Sequence, residues 1–283
     1  MSTKQQTNPV LRVLKTDPSD WLSATWKDRL WKAFIAFWVL YILAPPVMLV
    51  LISLDSASYV RVPQSFTLEK YELMLKSEPL IKAMQRSVTL GVVTMVVAPL
   101  LALLAVLSYR KTKYKSLFVG AMVIPLFVPG VVQGFSLLVL FKQLGFNQPF
   151  IAEAIGHTIW AFPFAFLVLL TSMSSVREDA LLASADLGAN ELETFRYIIF
   201  PLIKPGIISA VIFSFVLSFN EFSRTVYLKG GDNTIPTYVY AKLQVELSPE
   251  VFALAGVTVV VSLTLIAIAT IYLYRAGHDS NGE

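Results

Sequence analysis

Residues 184–206 read SADLGANELETFRYIIFPLIKPG and lie between two long apolar stretches of the chain. The segment begins with polar residues, places Gly188 where a helix would otherwise continue, and contains Pro201 and Pro205. Irregular backbone is tolerated at membrane depth only where protein or a water-filled cavity covers it. We therefore predict that this segment leaves the membrane between two spans, and that the flanking spans define the fold.

The composition is that of a membrane protein. Of the 283 residues, 55% are hydrophobic and 15% are charged, whereas soluble domains carry about 25% charged residues. The chain has no cysteine, which excludes disulfides, thiolate metal sites and a cysteine nucleophile. No basic cluster with interleaved aromatic residues indicates a nucleic-acid partner, so none is expected.

Six apolar windows approach the length that a helix needs to cross a bilayer core, about 20 residues. We predict an all-α membrane protein with six transmembrane helices in residues 33–275. A cytoplasmic N-terminal tail with an interfacial helix (1–32) and a cytoplasmic C-terminal tail (276–283) complete the predicted organisation. The predicted spans are Ala33–Leu54, Ser87–Tyr109, Leu117–Phe141, Ala154–Val176, Pro205–Phe222 and Val251–Tyr274.

The third predicted span contains IPLFVPGVVQG at residues 124–134, with two prolines and two glycines. Each proline removes a backbone donor and kinks a helix. The pattern indicates a bend beside a cavity that Gln133 would line, and plain helix packing is the alternative.

Basic residues set the orientation of the spans, because cytoplasmic loops are enriched in lysine and arginine. The loop RKTKYKSL, residues 110–117, carries four positive charges. If that loop is inside, both termini are cytoplasmic. The tryptophans of Trp21–Trp31 then fit a segment lying on the membrane surface.

The opening segment also predicts two short helices that meet at a corner. Gly188 can adopt the left-handed conformation that ends the first helix, Ala180–Leu187. Asn190 is a good N-cap for the second helix, and Glu193 is placed to complete a capping box. A capped corner facing the cytosol suits docking to a partner, and a connector without a partner is the alternative.

The same residues resemble the cytoplasmic loop of binding-protein-dependent ABC importer permeases. That motif has Glu-Ala-Ala, three residues, Gly, nine residues, Ile, one residue and Leu-Pro, and here Gly188, Ile198 and Pro201 fall at those spacings. Leu182 stands where the family has Glu, and Phe200 where it has Leu. The resemblance implies ATPase-coupling roles for Leu182, Ala183, Ser184, Asp186, Gly188, Ala189, Asn190, Glu193, Phe195 and Pro201.

The resemblance implies the type I ABC importer permease architecture in a bacterial inner membrane, with the coupling-helix loop between helices 4 and 5. Its partners would be a second permease subunit, preferably a different one, two ATP-binding subunits, a periplasmic substrate-binding protein and membrane lipid. The chain lacks a GxxxxGK[ST] phosphate loop, so we expect no enzyme activity of its own. No cofactor would bind directly, because the partner subunit would use the ATP and magnesium.

The cargo is suggested by SFNEF (218–222), IPTYVYAKL (235–243) and SPEVFAL (248–254). These elements resemble spermidine/putrescine permeases of the second-subunit type, which implies a polyamine cargo. Permeases for other small amines and for amino-phosphonates share them, so those cargoes remain alternatives.

Glu221 is a candidate ligand for a cationic cargo, with neighbouring aromatic rings for cation–π contact. Alternatively, Glu221 is an interfacial acid that pairs with Arg224. If the cargo were anionic, Arg224 would be the better candidate ligand. His157 is either a substrate contact or a hydrogen-bonded packing residue. The predicted substrate pathway comprises Asn220, Glu221, Phe219, Phe222, Arg224, His157, Trp160 and Gln133, and no metal site is predicted.

An ion-coupled secondary transporter is the main competing class. Such proteins usually show repeated halves and charged residues inside the membrane. The sequence shows no internal repeat, and its only acid near a span is peripheral. A membrane-embedded enzyme would need a cluster of polar catalytic residues that the spans do not contain.

Overall fold

The computed structural model describes residues 26–57, 63–245 and 248–279. The predicted N-terminal tail lies outside these residues except for its last seven positions, as do the last four residues of the predicted C-terminal tail. The helices are α1 (Trp26–Ser53), α2 (Glu69–Lys76), α3 (Glu78–Lys111), α4 (Lys115–Val123), α5 (Gly130–Gln143), α6 (Pro149–Met173), α7 (Glu178–Asp186), α8 (Glu191–Thr194), α9 (Phe200–Phe219), α10 (Thr225–Leu228), α11 (Ile235–Val245) and α12 (Pro249–Asp279).

The predicted helical membrane fold is confirmed within the described ranges. Five helical runs are long and apolar enough to cross a membrane. A sixth candidate consists of Lys115–Phe127, which ends in a 3-10 turn, and Gly130–Gln143, and the two are bent by 93°. The bend predicted for the third span is therefore correct. Pro129 has an extended backbone (φ −53°, ψ 134°), which interrupts the helix between the two arms.

The first span is longer than predicted at its start. Trp26–Lys32 continues directly into it as part of α1, so these residues do not form a separate interfacial helix. No glycine or proline occurs between position 21 and Pro45 to interrupt the helix. Only 6% of its most apolar window is buried inside the chain.

The fifth span also differs from its prediction. The predicted span began at Pro205, but Glu191–Phe219 is one continuous helical run. A π-helical turn at Phe195–Ile199 lets the Phe200 amide donate to the Phe195 carbonyl, five residues back. This wider turn accommodates Pro201, which has no amide hydrogen to donate.

Helices α3, α6 and α9 pack against each other and form the centre of the molecule. Towards the coupling loop, they bury a cluster that includes Val106, Phe166, Leu169 and Ile203. At the opposite end, a second cluster joins α2, α11 and α12 to the bundle, with Met74, Leu80, Phe219, Tyr238 and Leu254 among its members. These two cores lie at opposite ends of the same bundle, one next to the corner between α7 and α8 and the other next to the end of α9.

The segment before α2 is fixed by polar contacts. The Asp55 carboxylate accepts hydrogen bonds from the Gln64 and Ser65 amides, each at 3.1 Å, and from the Ser65 hydroxyl at 2.9 Å. Lys70 donates to the Ile52 carbonyl at 2.8 Å and lies over the Phe252 ring. The short helix α2 is therefore anchored to α1 and α12.

Candidate functional site

The first candidate region is the corner between α7 and α8. Gly188 has a φ of +81°, and its amide donates to the Ala185 carbonyl at 2.9 Å. The Ala189 amide donates to the Ser184 carbonyl at 3.0 Å. These two bonds form a Schellman motif, which satisfies carbonyls at the end of α7. The predicted left-handed role of Gly188 is confirmed.

The capping box at the start of α8 is also confirmed. The Glu193 amide donates to the Asn190 side chain at 2.9 Å, and the Asn190 amide donates to the Glu193 carboxylate at 2.8 Å. The Ser184 and Thr194 hydroxyls lie 3.2 Å apart and connect the two helices. Local hydrogen bonds therefore define the corner from both sides.

The predicted coupling residues face in different directions. Ser184 is buried, and Phe195 is half-buried against Phe200 at 6.0 Å between ring centroids. Leu182, Leu187 and Leu192 are instead 62%, 88% and 74% exposed. Leu187 and Leu192 were not among the predicted coupling residues, although they lie within the motif. The exposed members of the predicted set are Leu182, Ala183, Asp186, Gly188, Asn190, Glu193 and Pro201.

The second candidate region surrounds a buried ion pair just beyond the end of α9. Arg224 Nη1 lies 3.0 Å from Glu221 Oε2, and the Arg224 amide donates to Glu221 Oε1 at 2.8 Å. The exposed fractions of the two residues are 2% and 6%. The interpretation in which Glu221 pairs with Arg224 is therefore the one that the structure shows.

The Arg224 guanidinium has two further neighbours. Its Nε donates to Gln133 Oε1 at 2.6 Å, and the group lies 4.3 Å from the centroid of the Trp160 ring. The cation is thus held by a carboxylate, an amide and an aromatic face. Residues of three predicted spans converge here, because Gln133 lies on α5 and Trp160 on α6.

The bent span meets this cluster through Gln133 and Gly134. The Gln133 side-chain amide donates to the Pro125 carbonyl at 3.1 Å, across the bend. A Cβ atom at Gly134 would lie 2.8 Å from Arg224 Cα. Only glycine permits this close approach, so α5 packs directly on the segment that carries the ion pair.

His157 is buried within the same region. Its Nδ1 lies 2.7 Å from the Ser218 hydroxyl, and its Nε2 lies 2.8 Å from the Thr225 hydroxyl. Thr225 also donates to the Glu221 carbonyl at 3.0 Å. The histidine therefore has the hydrogen-bonded packing environment that was one of its two interpretations.

The remaining predicted pathway residues lie around the end of α9. Asn220 donates to the Val216 carbonyl and to the Ser262 hydroxyl, each at 2.9 Å. Phe222 contacts Tyr240 with ring centroids 4.9 Å apart. Phe219 is buried in the core and stacks on Phe215. The structure thus gathers all eight predicted pathway residues at this end of the bundle, although their pathway role stays a prediction.

A second buried ion pair was not predicted. Arg86 Nε donates to Glu153 Oε2 at 2.9 Å, and Arg86 Nη1 donates to Asp232 at 2.8 Å. Glu153 is fully buried. Arg86 and Glu153 each directly precede a predicted span, at ends that share one side of the membrane, so their opposite charges could have indicated the contact.

The described residues therefore comprise a helical bundle of five candidate spans and a sixth, bent one, with a doubly capped corner and a convergence of polar side chains at the opposite end. Among these residues, no group of three or more His, Cys, Asp or Glu side chains could hold a metal ion. A membrane-spanning transport subunit is the class of protein that this arrangement defines.

The chain belongs to the family described as "Binding-protein-dependent transport system inner membrane component", which matches residues 81–276. It is 31% identical over 245 residues to the spermidine/putrescine transport system permease protein PotC of Shigella flexneri, covering 86% of this chain and 92% of that protein. It is 30% identical over 226 residues to the putrescine transport system permease protein PotI of Escherichia coli K12, covering 76% and 80% of the two chains.

Solved structures show a similar fold. An amino acid ABC transporter aligns with a TM-score of 0.56 at 16% identity, covering 74% of this chain and all of that chain. A transporter that imports the acidic polysaccharide alginate aligns with a TM-score of 0.57 at 17% identity, covering 90% and 96%. The protein is therefore an ABC importer permease subunit of the inner membrane, as its sequence predicted, and an ion-coupled secondary transporter is the less favoured interpretation.

Proposed function

We propose that this chain forms half of the substrate pathway of a polyamine importer and couples it to a separate ATPase. The relatives described above are permeases for spermidine and putrescine. The partners would be a second, different permease subunit, two ATP-binding subunits and a periplasmic substrate-binding protein. ATP and magnesium would be used by the ATP-binding subunits, and both termini of this chain would be cytoplasmic.

The corner between α7 and α8 is the observation that carries the coupling role. It is fixed by the Schellman motif and the capping box, so a force applied to it moves the backbone as a unit. Leu182, Leu187 and Leu192 expose most of their apolar side chains. A rigid corner with exposed leucines suits the groove of a partner protein, since buried apolar surface provides much of the energy of association.

The cluster around Arg224 supports an amine cargo in a specific way. A carboxylate and an aromatic face surround a cation here, which is also how a site for an alkylammonium group is built. In this conformation the cation is the chain's own guanidinium. An amine cargo would therefore contact Glu221 only when the pathway opens and Arg224 changes partner.

A cargo that carries both an amine and an anionic group is the second candidate. The observation that favours it is Arg224 itself, which balances the charge of Glu221. An amino-phosphonate could then bind Arg224 through its phosphonate and Glu221 through its amine. This candidate keeps the permease function and changes only the cargo class.

Cargo-stimulated ATP hydrolysis tests both parts of the proposal. The chain, its partner permease, the ATPase and loaded binding protein would be reconstituted in nanodiscs with spermidine, putrescine, an amino-phosphonate or an amino acid. Gly188→Val should abolish the stimulation, because a β-branched residue is strained at φ +81°. Gly188→Asn should retain most of it, since asparagine tolerates this backbone region.

Stimulation by spermidine or putrescine that is lost only in Gly188→Val supports the proposal. Stimulation by an amino-phosphonate alone would replace the polyamine with the second candidate. The coupling role is wrong if Gly188→Val assembles with the ATPase and hydrolyses ATP in response to cargo as the natural chain does.

A further inference from the structure

We propose that the cavity between the coupling corner and α3 binds the headgroup of an anionic phospholipid. The proposal rests on the proposed function in one respect: the corner must face the cytoplasm, next to the inner leaflet. It adds a regulatory ligand at a position that touches the coupling loop.

The cavity has a volume of about 410 Å³ and is partly open to the surface. Its floor comes from the end of α3, and its opposite wall comes from the corner. The polar lining consists of Arg110, Lys111, Ser184, Glu191 and Thr194. It is therefore a preformed recess in which cationic and hydroxyl donors converge.

The positive charges of the recess, on Arg110 and Lys111, would bind a phosphate more strongly than they bind the carboxylates of this chain. Lys111 Nζ lies 2.7 Å from Glu191 Oε1, but the two side chains are 71% and 87% exposed. Such an exposed pair is weak. Within the described part of the chain, no carboxylate forms an ion pair with Arg110. A phosphate could therefore bind Arg110 and replace the Glu191 carboxylate at Lys111.

The rest of the lining fits a lipid tail. Leu107, Leu181, Phe195 and Ile199 form an apolar wall next to the polar recess. Lys111 is the last residue of α3, and Glu191 begins the membrane-spanning run Glu191–Phe219. The cations thus lie at the depth of the headgroups, with the apolar wall extending towards the hydrocarbon.

A lipid phosphate explains this arrangement better than a free phosphate does. Both would use Arg110 and Lys111, but only a lipid would use the apolar wall. Basic recesses between helices at the cytoplasmic surface are typical sites for anionic headgroups. A lipid bound here would contact Ser184 and Thr194, which join the two coupling helices.

Native mass spectrometry of the complete importer complex would test the site. Phosphatidylglycerol would be titrated onto delipidated complex, with phosphatidylcholine as the comparison and glycerol phosphate as a soluble competitor. Arg110→Gln should weaken phosphatidylglycerol binding about fivefold, the effect of one cation near a membrane surface. Lys113→Gln is the matched control, because Lys113 is exposed in the same loop but does not line the recess.

Glu191→Gln should change the affinity in the opposite direction. It removes the anion that competes for Lys111, so phosphatidylglycerol should bind more tightly. A gain from one substitution and a loss from another cannot both result from misfolding. Tighter binding in Glu191→Gln together with weaker binding in Arg110→Gln supports the proposed site.

Three results would overturn the inference. If Arg110→Gln and Lys113→Gln weaken phosphatidylglycerol binding equally, the lipid binds a diffuse basic surface. If phosphatidylcholine binds as tightly as phosphatidylglycerol, the site does not recognise an anion. If glycerol phosphate binds as tightly as phosphatidylglycerol, the site is one for free phosphate. Cargo-stimulated ATPase activity, measured on the same samples, distinguishes failure of the lipid site from failure of the proposed function. Stimulation that persists without selective lipid binding rejects only the lipid site.

Discussion

At the scale of single residues, Glu221 and Arg224 form a buried ion pair outside the two hydrophobic cores. Each side chain buries a full charge, and each depends on the other for compensation. Taking a charge out of water costs several kcal/mol, which only good geometry and additional hydrogen bonds offset. Gln133 and the Trp160 ring provide those additional contacts to Arg224.

Removing one member of this pair should therefore lower the stability of the protein more than removing both. Arg224→Met leaves Glu221 buried without its partner and should cost about 3–5 kcal/mol of stability. The double change Arg224→Met with Glu221→Leu should recover most of that loss. Thermal unfolding of the purified protein in detergent would measure the midpoints of the variants.

An exposed pair provides the matched control. Lys82 and Glu78 lie 2.7 Å apart, but their side chains are 71% and 78% exposed. Lys82→Gln should leave the unfolding midpoint unchanged, because water compensates exposed charges. Additive losses from Arg224→Met and Glu221→Leu would show that the two residues do not interact in the folded protein.

Single residues could be predicted from the sequence where their contacts are local. Gly188, Asn190 and Glu193 lie within six positions of each other, so their spacing alone specifies the cap geometry. Arg224 illustrates the limit, because its contacts to Gln133 and Trp160 join distant parts of the chain. Propensity and spacing carry no information about which spans become neighbours.

Among the helices, α6 and α9 approach each other closely where they cross. Gly206 on α9 faces Ser172 on α6, and a Cβ atom at Gly206 would overlap with the Ser172 hydroxyl. Small residues at such crossings let membrane helices approach closely, which strengthens their van der Waals contact.

A larger residue at this crossing should separate the helices. Gly206→Ala should lower stability by about 1–3 kcal/mol, the usual cost of overpacking a core. Adding Ser172→Gly should restore most of the loss, because it removes the atoms that the new methyl group meets. Urea or heat unfolding of the single and double variants would measure the effect.

Gly120→Ala is the control for this experiment. Gly120 lies in α4, and no heavy atom lies within 4 Å of a Cβ atom placed there. Alanine should be neutral or slightly stabilising at that position, since it favours helix more than glycine does. If Gly206→Ala behaves in the same way as Gly120→Ala, then the crossing is looser than the structure indicates.

The lengths of the apolar windows predicted which segments form helices, but they predicted the ends of the helices less accurately. The window beginning at Ser87 missed the polar first turns of α3, because hydropathy measures the membrane core and a helix can extend beyond it. Prolines such as those at positions 201 and 205 commonly break a helix, but the π-helical turn keeps this helix continuous. The opposite holds at Pro129, where the chain does break and the span bends.

For the whole molecule, the two functional regions lie at opposite ends of one bundle, so their positions relative to the membrane can be tested. The natural chain has no cysteine, which makes single introduced cysteines specific probes. Leu187→Cys at the coupling corner and Phe66→Cys before α2 are suitable, because the natural residues are 88% and 77% exposed.

An impermeant maleimide should label these two positions from opposite sides of the membrane. In membranes without the ATP-binding subunits, we expect Leu187→Cys to react only in inverted vesicles and Phe66→Cys only in intact spheroplasts, as the basic loop at 110–117 predicts. Val106→Cys should react from neither side, because Val106 is fully buried. Labelling of Leu187→Cys from the outer side would contradict the predicted orientation.

The continuous helical run from Glu191 to Phe219 connects the coupling corner to the region of Glu221, so it can carry a movement from one end of the bundle to the other. At 1.5 Å per residue, its 29 residues form a rod about 43 Å long. A tilt of about 5° at the coupling corner would therefore displace the far end, next to Glu221, by about 4 Å. A rigid rod of this kind transmits motion without a relay of side-chain rearrangements. The π-helical turn at Phe195–Ile199 lies one turn from its pivot at the coupling corner.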